Sequence, residues 1–358
     1  MLWLRIASDL ILRTDRAGAA LGANFEAQFG ECLGFANEAS RLALAQKLCG
    51  ALRAPARIVQ SFLTRTDEAA VWTLSHAPRL PADALRRAAG SAPLRLAIAG
   101  RDDLDEALID GLLASGDAET RVALAGNDRA TLTRHQLAEL VALAREAIDS
   151  VQDYRLAVAL LKRSPMSAAY APLFLIATPS QRTQILLAAQ RAELGRDRGP
   201  AFREISADFI AGLERHALER QTELFEADLA AALGCSPGLA SRIAEDPSGE
   251  PLAVALAAIG ASNEVCVRIL TSRDMAEGPD YPRLGALARL QGALGVAAAR
   301  AVISAITGGD ALDSRIATPR SRHRAAVSGR GGAEVVRLMR QSRAPVPRPE
   351  VSEGSAVS

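Results

Sequence analysis

The chain has 358 residues, 49% of them apolar but only 4% aromatic, and a formal net charge of +1. That apolar share excludes wholesale disorder and suffices for a sizeable core. Alanine and leucine dominate it, while β-branched and aromatic strand formers are scarce, so the composition predicts an all-α fold.

The near-neutral sum hides an asymmetry. Residues 314–348 hold nine arginines against Glu334 alone, about +8, which leaves a mildly acidic body and a basic tail. Cys32, Cys49, Cys235 and Cys266 lie far apart, with no Cys-x-x-Cys and no histidine at metal-ligand spacing. They read as small core hydrophobes, so no metal or other cofactor is expected. Met1-Leu2-Trp3-Leu4-Arg5 runs into Asp9 without the clean apolar core of a signal peptide. The longest uncharged apolar run, Pro251 to Ala261, falls short of the ~20 residues that span a bilayer. A cytoplasmic chain without a transmembrane segment is the expectation.

Residues 1–36 read as an amphipathic helix and a glycine-interrupted link. From residue 37 a five-residue word recurs as Arg41-Leu42-Ala43-Leu44-Ala45, Arg95-Leu96-Ala97-Ile98-Ala99, Arg121-Val122-Ala123-Leu124-Ala125 and Arg155-Leu156-Ala157-Val158-Ala159. A worn copy, Ala70-Val71-Trp72-Thr73-Leu74, fills the longest gap. Such repetition predicts a HEAT-like α-solenoid over 37–196, each unit a short helix, a polar turn and a longer helix. Two aliphatics two positions apart lie about 200° apart on a helix, which predicts word helices buried on both flanks.

The second helices carry their own start signals. Thr133 and Gln136 form a capping box with Leu132 and Leu137 as a staple, and further starts fall at Leu80-Pro81, Leu104-Asp105 and Met166-Ser167. Gly116 and Gly126-Asn127 are expected to end helices in the left-handed conformation. Pro165, Pro172 and Pro179 close the array before a helix over 180–196 and a hinge at Gly195–Pro200.

A second helical domain is expected over 197–307. It comprises one long helix from Phe202 to Leu233 stopped by Gly234, a short one at Pro237–Ala244, an arginine-free echo of the word at Pro251–Ala255, and helices over 263–274 and 283–307. Residues 308–358, rich in Arg, Ser, Pro and Gly, read as a disordered tail with room for a short helix at Glu334–Arg340.

With those words stand the turns Gly100-Arg101-Asp102-Asp103-Leu104 and Gly126-Asn127-Asp128, and the stretch Asp246-Pro247-Ser248-Gly249-Glu250-Pro251-Leu252-Ala253-Val254-Ala255-Leu256. On these residues the chain, over about 40–275, resembles the bacterial domain-of-unknown-function family 2336 (DUF2336), whose members look like HEAT-type helical repeats. The resemblance implies a fold and carries no catalytic residues.

Stacked repeats would line up Arg41, Arg95, Arg121 and Arg155 along one edge. There they could take a partner's carboxylates or phosphates, or pair with turn carboxylates such as Asp102, Asp117 or Asp128 and hold the stack. In the tail, Arg320, Arg322, Arg324 and Arg330 could meet nucleic acid or an anionic surface through counterion release, although no aromatic is interleaved to stack on bases. His76, His135, His216 and His323 fall in separate segments, with His135 and His216 expected to be exposed. No nucleophile elbow, phosphate loop or His-Glu-x-x-His occurs. The sequence therefore points to a non-enzymatic scaffold or adaptor that binds a protein partner through its repeats. The alternative is a nucleic-acid-associated protein acting through the arginine-rich tail.

Overall fold

The computed structural model describes residues 2–13, 23–50, 54–194, 205–273 and 280–308. Among them every regular element is helical. Residues 1–314 gather into one compact unit. The tail arginines Arg320, Arg322, Arg324 and Arg330, His323 and the segment Glu334–Arg340 lie outside the described residues.

Helices α1 (Leu2–Arg13) and α2 (Ala23–Gly34) open the chain. Pairs follow: α3 (Glu38–Leu48) and α4 (Ala56–Ser61), α5 (Glu68–His76) and α6 (Ala82–Ala89), α7 (Ala92–Ala99) and α8 (Glu106–Ser115), then α9 (Ala118–Gly126) and α10 (Arg134–Val151). After them come α11 (Arg155–Leu161), a 3-10 segment (Ala168–Ile176) and α12 (Pro179–Leu194). Alternate helices are neighbours: α1, α3, α5, α7, α9 and α11 pack successively on one another, as do α6, α8, α10 and the 3-10 segment.

The words explain half of this packing directly. Their first, fourth and fifth residues share one helix face, and Leu44, Ile98 and Leu124 with the closing Ala45, Ala99 and Ala125 are buried there. Each aliphatic so enclosed contributes roughly 1.5–3 kcal/mol, and the alanines let neighbouring helices approach closely. The expectation of burial on both flanks is corrected. Leu42 and Val122 are half-buried, and Leu96 is 49% exposed. One face suffices because each of these helices is covered by its row neighbours and its own partner, leaving the second residue of the word toward solvent.

Start signals match the structure closely. Thr133 and Gln136 form the reciprocal capping box, and Asp105 accepts from the Leu108 N–H at 2.7 Å. The helix ends differ from expectation. Gly116 and Asn127 have φ of −74° and −86°, so neither is left-handed. Gly116 is required for space instead: a β-carbon there would lie 2.1 Å from the Leu112 carbonyl oxygen.

Beyond α12 stand α13 (Ala207–Leu218), α14 (Thr222–Leu233), α15 (Pro237–Ala244), α16 (Glu250–Ala258), α17 (Asn263–Arg273), α18 (Tyr281–Ala293) and α19 (Val296–Thr307). Two helices read as continuous in the sequence are each broken. The first folds back at Arg220, φ +58°, which lets His216 on α13 reach Asp228 on α14 at 2.8 Å. The second bends by 103° between α18 and α19, where Gly295 begins the new helix. Helix α16 is buried from Pro251 to Ala258, the centre of this half, with α15, α17, α18 and α19 around it. Helix α19 also packs on α12 and the 3-10 segment.

Candidate functional site

Three of the repeated arginines occupy one register. The backbone N–H groups of Arg41, Arg95 and Arg121 donate to the carbonyls of Asn37, Ser91 and Asp117, which places each arginine four residues after its helix cap. From there the side chain reaches back to the last carbonyls of the preceding helix. Arg41 donates to Leu33 O at 3.1 Å, Arg95 to Ala89 O at 3.4 Å and Arg121 to Leu113 O at 3.4 Å. Two of them also reach forward to the cap of the next helix in the row: Arg41 to Asp67 at 2.5 Å, Arg95 to Asp117 at 3.7 Å.

Arg41 is wholly buried, its guanidinium further bonded to Phe62 O at 2.9 Å. Arg155 differs. It is the first residue of α11, its side chain is 56% exposed, and it pairs with Asp153 at 3.0 Å and with Glu119. In α11 the word is rotated, so that Leu156 is buried and Val158 exposed, the reverse of the other copies. The worn copy in the same cap register begins at Val71, because α5 is capped by Asp67.

Sequence reading missed a further member, Arg182. Its N–H donates to Thr178 O, so it too stands four residues after a cap, and its side chain donates to Phe174 O at 3.0 Å and Leu175 O at 2.8 Å. It then crosses to Asp246 at 2.7 Å, Ser248 at 2.6 Å and Glu250 at 3.4 Å. Burial pushes the Asp246 carboxyl up, but its bonds to Arg182 and Ser248 outweigh this and hold it below its ordinary value. Turn residues add a second set of ties. Arg101, clamped by Asp103, donates to Leu74 O; Asn127 donates to Ala99 O at 2.9 Å; Arg163 donates to Ala130 O at 2.5 Å.

The polar groups of the repeats are thus largely turned on one another, and the open surface lies elsewhere. A groove of about 670 Å³ runs beside α10, lined by Ala138, Val141, Ala142, Glu146, Ala169 and Pro172. Arg145 also lines it, and on its other side borders a second depression of about 500 Å³ walled by Ala171, Ala189, Val302 and Ala305. Three alanines with Val141 and Pro172 make its apolar floor, and Arg145, Glu146 and Asp149 are the charged residues along it.

Chemistry-bearing side chains do not converge on this groove. His135 is exposed as expected, His76 stacks on Trp72 with ring centroids 3.7 Å apart, and His216 is half-buried against Asp228, contrary to expectation. Cys49 and Cys266 are buried and burial pushes the Cys266 thiol up to about 12, whereas Cys32 is exposed and departs from the core role expected of it. Among the described residues no group of three or more His, Cys, Asp or Glu could hold a metal ion, and no single helix is long and apolar enough to cross a membrane.

No curated protein matches the chain, and no solved structure does. A family model described as an uncharacterised protein conserved in bacteria (DUF2336) matches residues 69–304, from the start of α5 to the end of α19. The chain therefore belongs to the DUF2336 family.

Proposed function

We propose that the protein is a non-enzymatic cytoplasmic scaffold or adaptor, and that its row of alternate helices is a HEAT-like solenoid whose α10 groove receives a helical segment of a protein partner. The observation that carries this reading is the groove's make-up: an apolar floor with charges of both signs along it, beside a helix of 18 residues. A trough running beside α10 from Ala138 to Ser150 suits an amphipathic helix laid along it, apolar face down. Inward use of Arg41, Arg95, Arg121 and Arg182 supports the same reading, since it makes these arginines the fasteners of the stack and leaves recognition to the exposed stripe Ala138, Ala142 and Glu146.

The test is a photo-crosslinking amino acid at Ala142, with Tyr281 as the control position, in the native cytoplasm. One reproducible partner adduct at Ala142, absent at Tyr281 and lost when Ala138→Glu is added, is expected. No adduct at Ala142, or the same adducts from both positions, would overturn the reading.

A further inference from the structure

Away from the α10 groove, a cavity of about 250 Å³ opens where the α13–α14 turn faces the end of α17. Its lining includes His216, Arg220, Thr222, Phe225, Ser272 and Arg273, and no acidic residue among the described residues. Two carboxylates outside the lining contact it. Asp228 holds His216 Nδ1 at 2.8 Å, leaving Nε2 as the ring nitrogen free for a ligand, and Glu226 lies 4.0 Å from Arg273. Arg273 is also fixed over the Phe225 ring, 4.9 Å from its centroid, so one guanidinium is held in place. The other, on Arg220, has no side-chain partner among the described residues.

Arg220 is also the residue that bends the chain here. It takes φ +58° in the turn, with its N–H donating to Ala217 O at 3.1 Å and the Gln221 N–H to His216 O at 2.9 Å. That is the helix-ending position at which glycine sits without strain and other residues do not. At Gly234, the corresponding end of α14, glycine is used. A strained arginine without a side-chain partner among the described residues thus lines a cavity that already holds a second arginine and a histidine.

We propose that this cavity binds the phosphate group of a small phosphomonoester. Two guanidiniums and an imidazole supply N–H donors, with Arg220 the charge not already countered by a carboxylate among the described residues. The planar forks suit phosphate oxygens, and the Thr222 hydroxyl, unbonded among the described residues, supplies a further donor. The volume admits a phosphate with a modest organic group.

The test is calorimetric titration of the full chain at fixed ionic strength with inorganic phosphate, phenyl phosphate and acetate, on wild type, Arg220→Gly and Arg220→Lys. Saturable one-to-one binding of both phosphates, at least ten-fold weaker in Arg220→Gly and partly restored in Arg220→Lys, is expected, with acetate silent. Arg220→Gly should also melt no lower than wild type, because glycine relieves the turn, so a loss of binding cannot be a loss of fold. Phosphate heats no different from matched chloride, or Arg220→Gly binding as wild type does, would overturn the proposal. Binding of inorganic phosphate with rejection of phenyl phosphate would overturn the phosphomonoester assignment.

Discussion

Asp246 accepts both outer nitrogens of the Arg182 guanidinium, at 2.7 and 3.1 Å, joining α12 to a turn 64 residues further along the chain. Both side chains are largely enclosed, and Ser248 completes the clamp by donating to Asp246 at 2.5 Å. Removing one member of such a pair strands the other charge. Arg182→Met, which keeps the volume, should lower the unfolding free energy by about 3–5 kcal/mol in urea titrations. A loss no larger than that of an exposed arginine would show the clamp to be incidental.

The same pair sets an acid limit. Because the Asp246 carboxyl is held below its ordinary value, it contributes stability that is complete above its unfolded value near 3.9 and is lost as pH falls through its lower folded value. Urea midpoints from pH 7 down to 2 should therefore fall more shallowly below about pH 4 in Asp246→Asn than in wild type, although the variant starts lower. Parallel curves would remove Asp246 from the acid response.

The two ends of the arginine series should behave differently under truncation. Arg41 is wholly buried and bonded to Leu33 O, Phe62 O and Asp67, so Arg41→Ala strips all three of their buried cationic donor. It leaves Asp67 only the Ala70 N–H it caps and the more distant Arg65, and should cost about 3 kcal/mol or more. Arg155 pairs at the surface, where screening cancels most of the gain, and Arg155→Ala should leave the melting temperature unchanged. Thermal melts of both variants in low and high salt separate the cases. A comparable loss in each would refute the distinction in register.

Two glycines make a matched pair of opposite sign. A β-carbon on Gly116 would meet the Leu112 carbonyl at 2.1 Å, so Gly116→Ala must shift backbone and should destabilise by about 2 kcal/mol or more. Gly126, within α9, has nothing within 4 Å of such an atom, and Gly126→Ala should gain roughly 0.5–1 kcal/mol from a less flexible unfolded chain. Chemical denaturation of the two variants side by side gives both signs.

These contrasts show how far the letters alone could lead. Composition and repetition made the helical class legible, and local cap chemistry located the starts of α8 and α10 closely, because those signals act over four residues or fewer. The spelling of the word misled at α11. Arg155 matches it letter for letter but has Val151 four positions earlier, where Asn37, Ser91, Asp117 and Thr178 precede the arginines that reach back to carbonyls. Cap followed by arginine at the fourth position was the signal that would have found Arg182, spelt Arg-Thr-Gln-Ile-Leu. The break at Arg220 was hidden for a different reason. The apolar stripe resumes in phase beyond it, Leu213 and Leu224 standing about three helical turns apart, so the polar turn at Arg220 and Gln221 reads as a gap in one helix. The pairing of His216 with Asp228, by contrast, needs the chain to fold back there.

Helices along the row pack on their second neighbours, as α3 does on α5. At that contact the Cys49 sulfur lies 3.2 Å from the Thr73 hydroxyl oxygen, both buried. Thr73→Cys, oxidised in the folded state and digested for mass spectrometry, offers the most direct measurement. A disulfide between Cys49 and the introduced thiol is predicted, with Cys32, Cys235 and Cys266 unlinked. An introduced thiol that stays free under oxidation of the folded chain, or pairs with any other cysteine, would contradict the stacking.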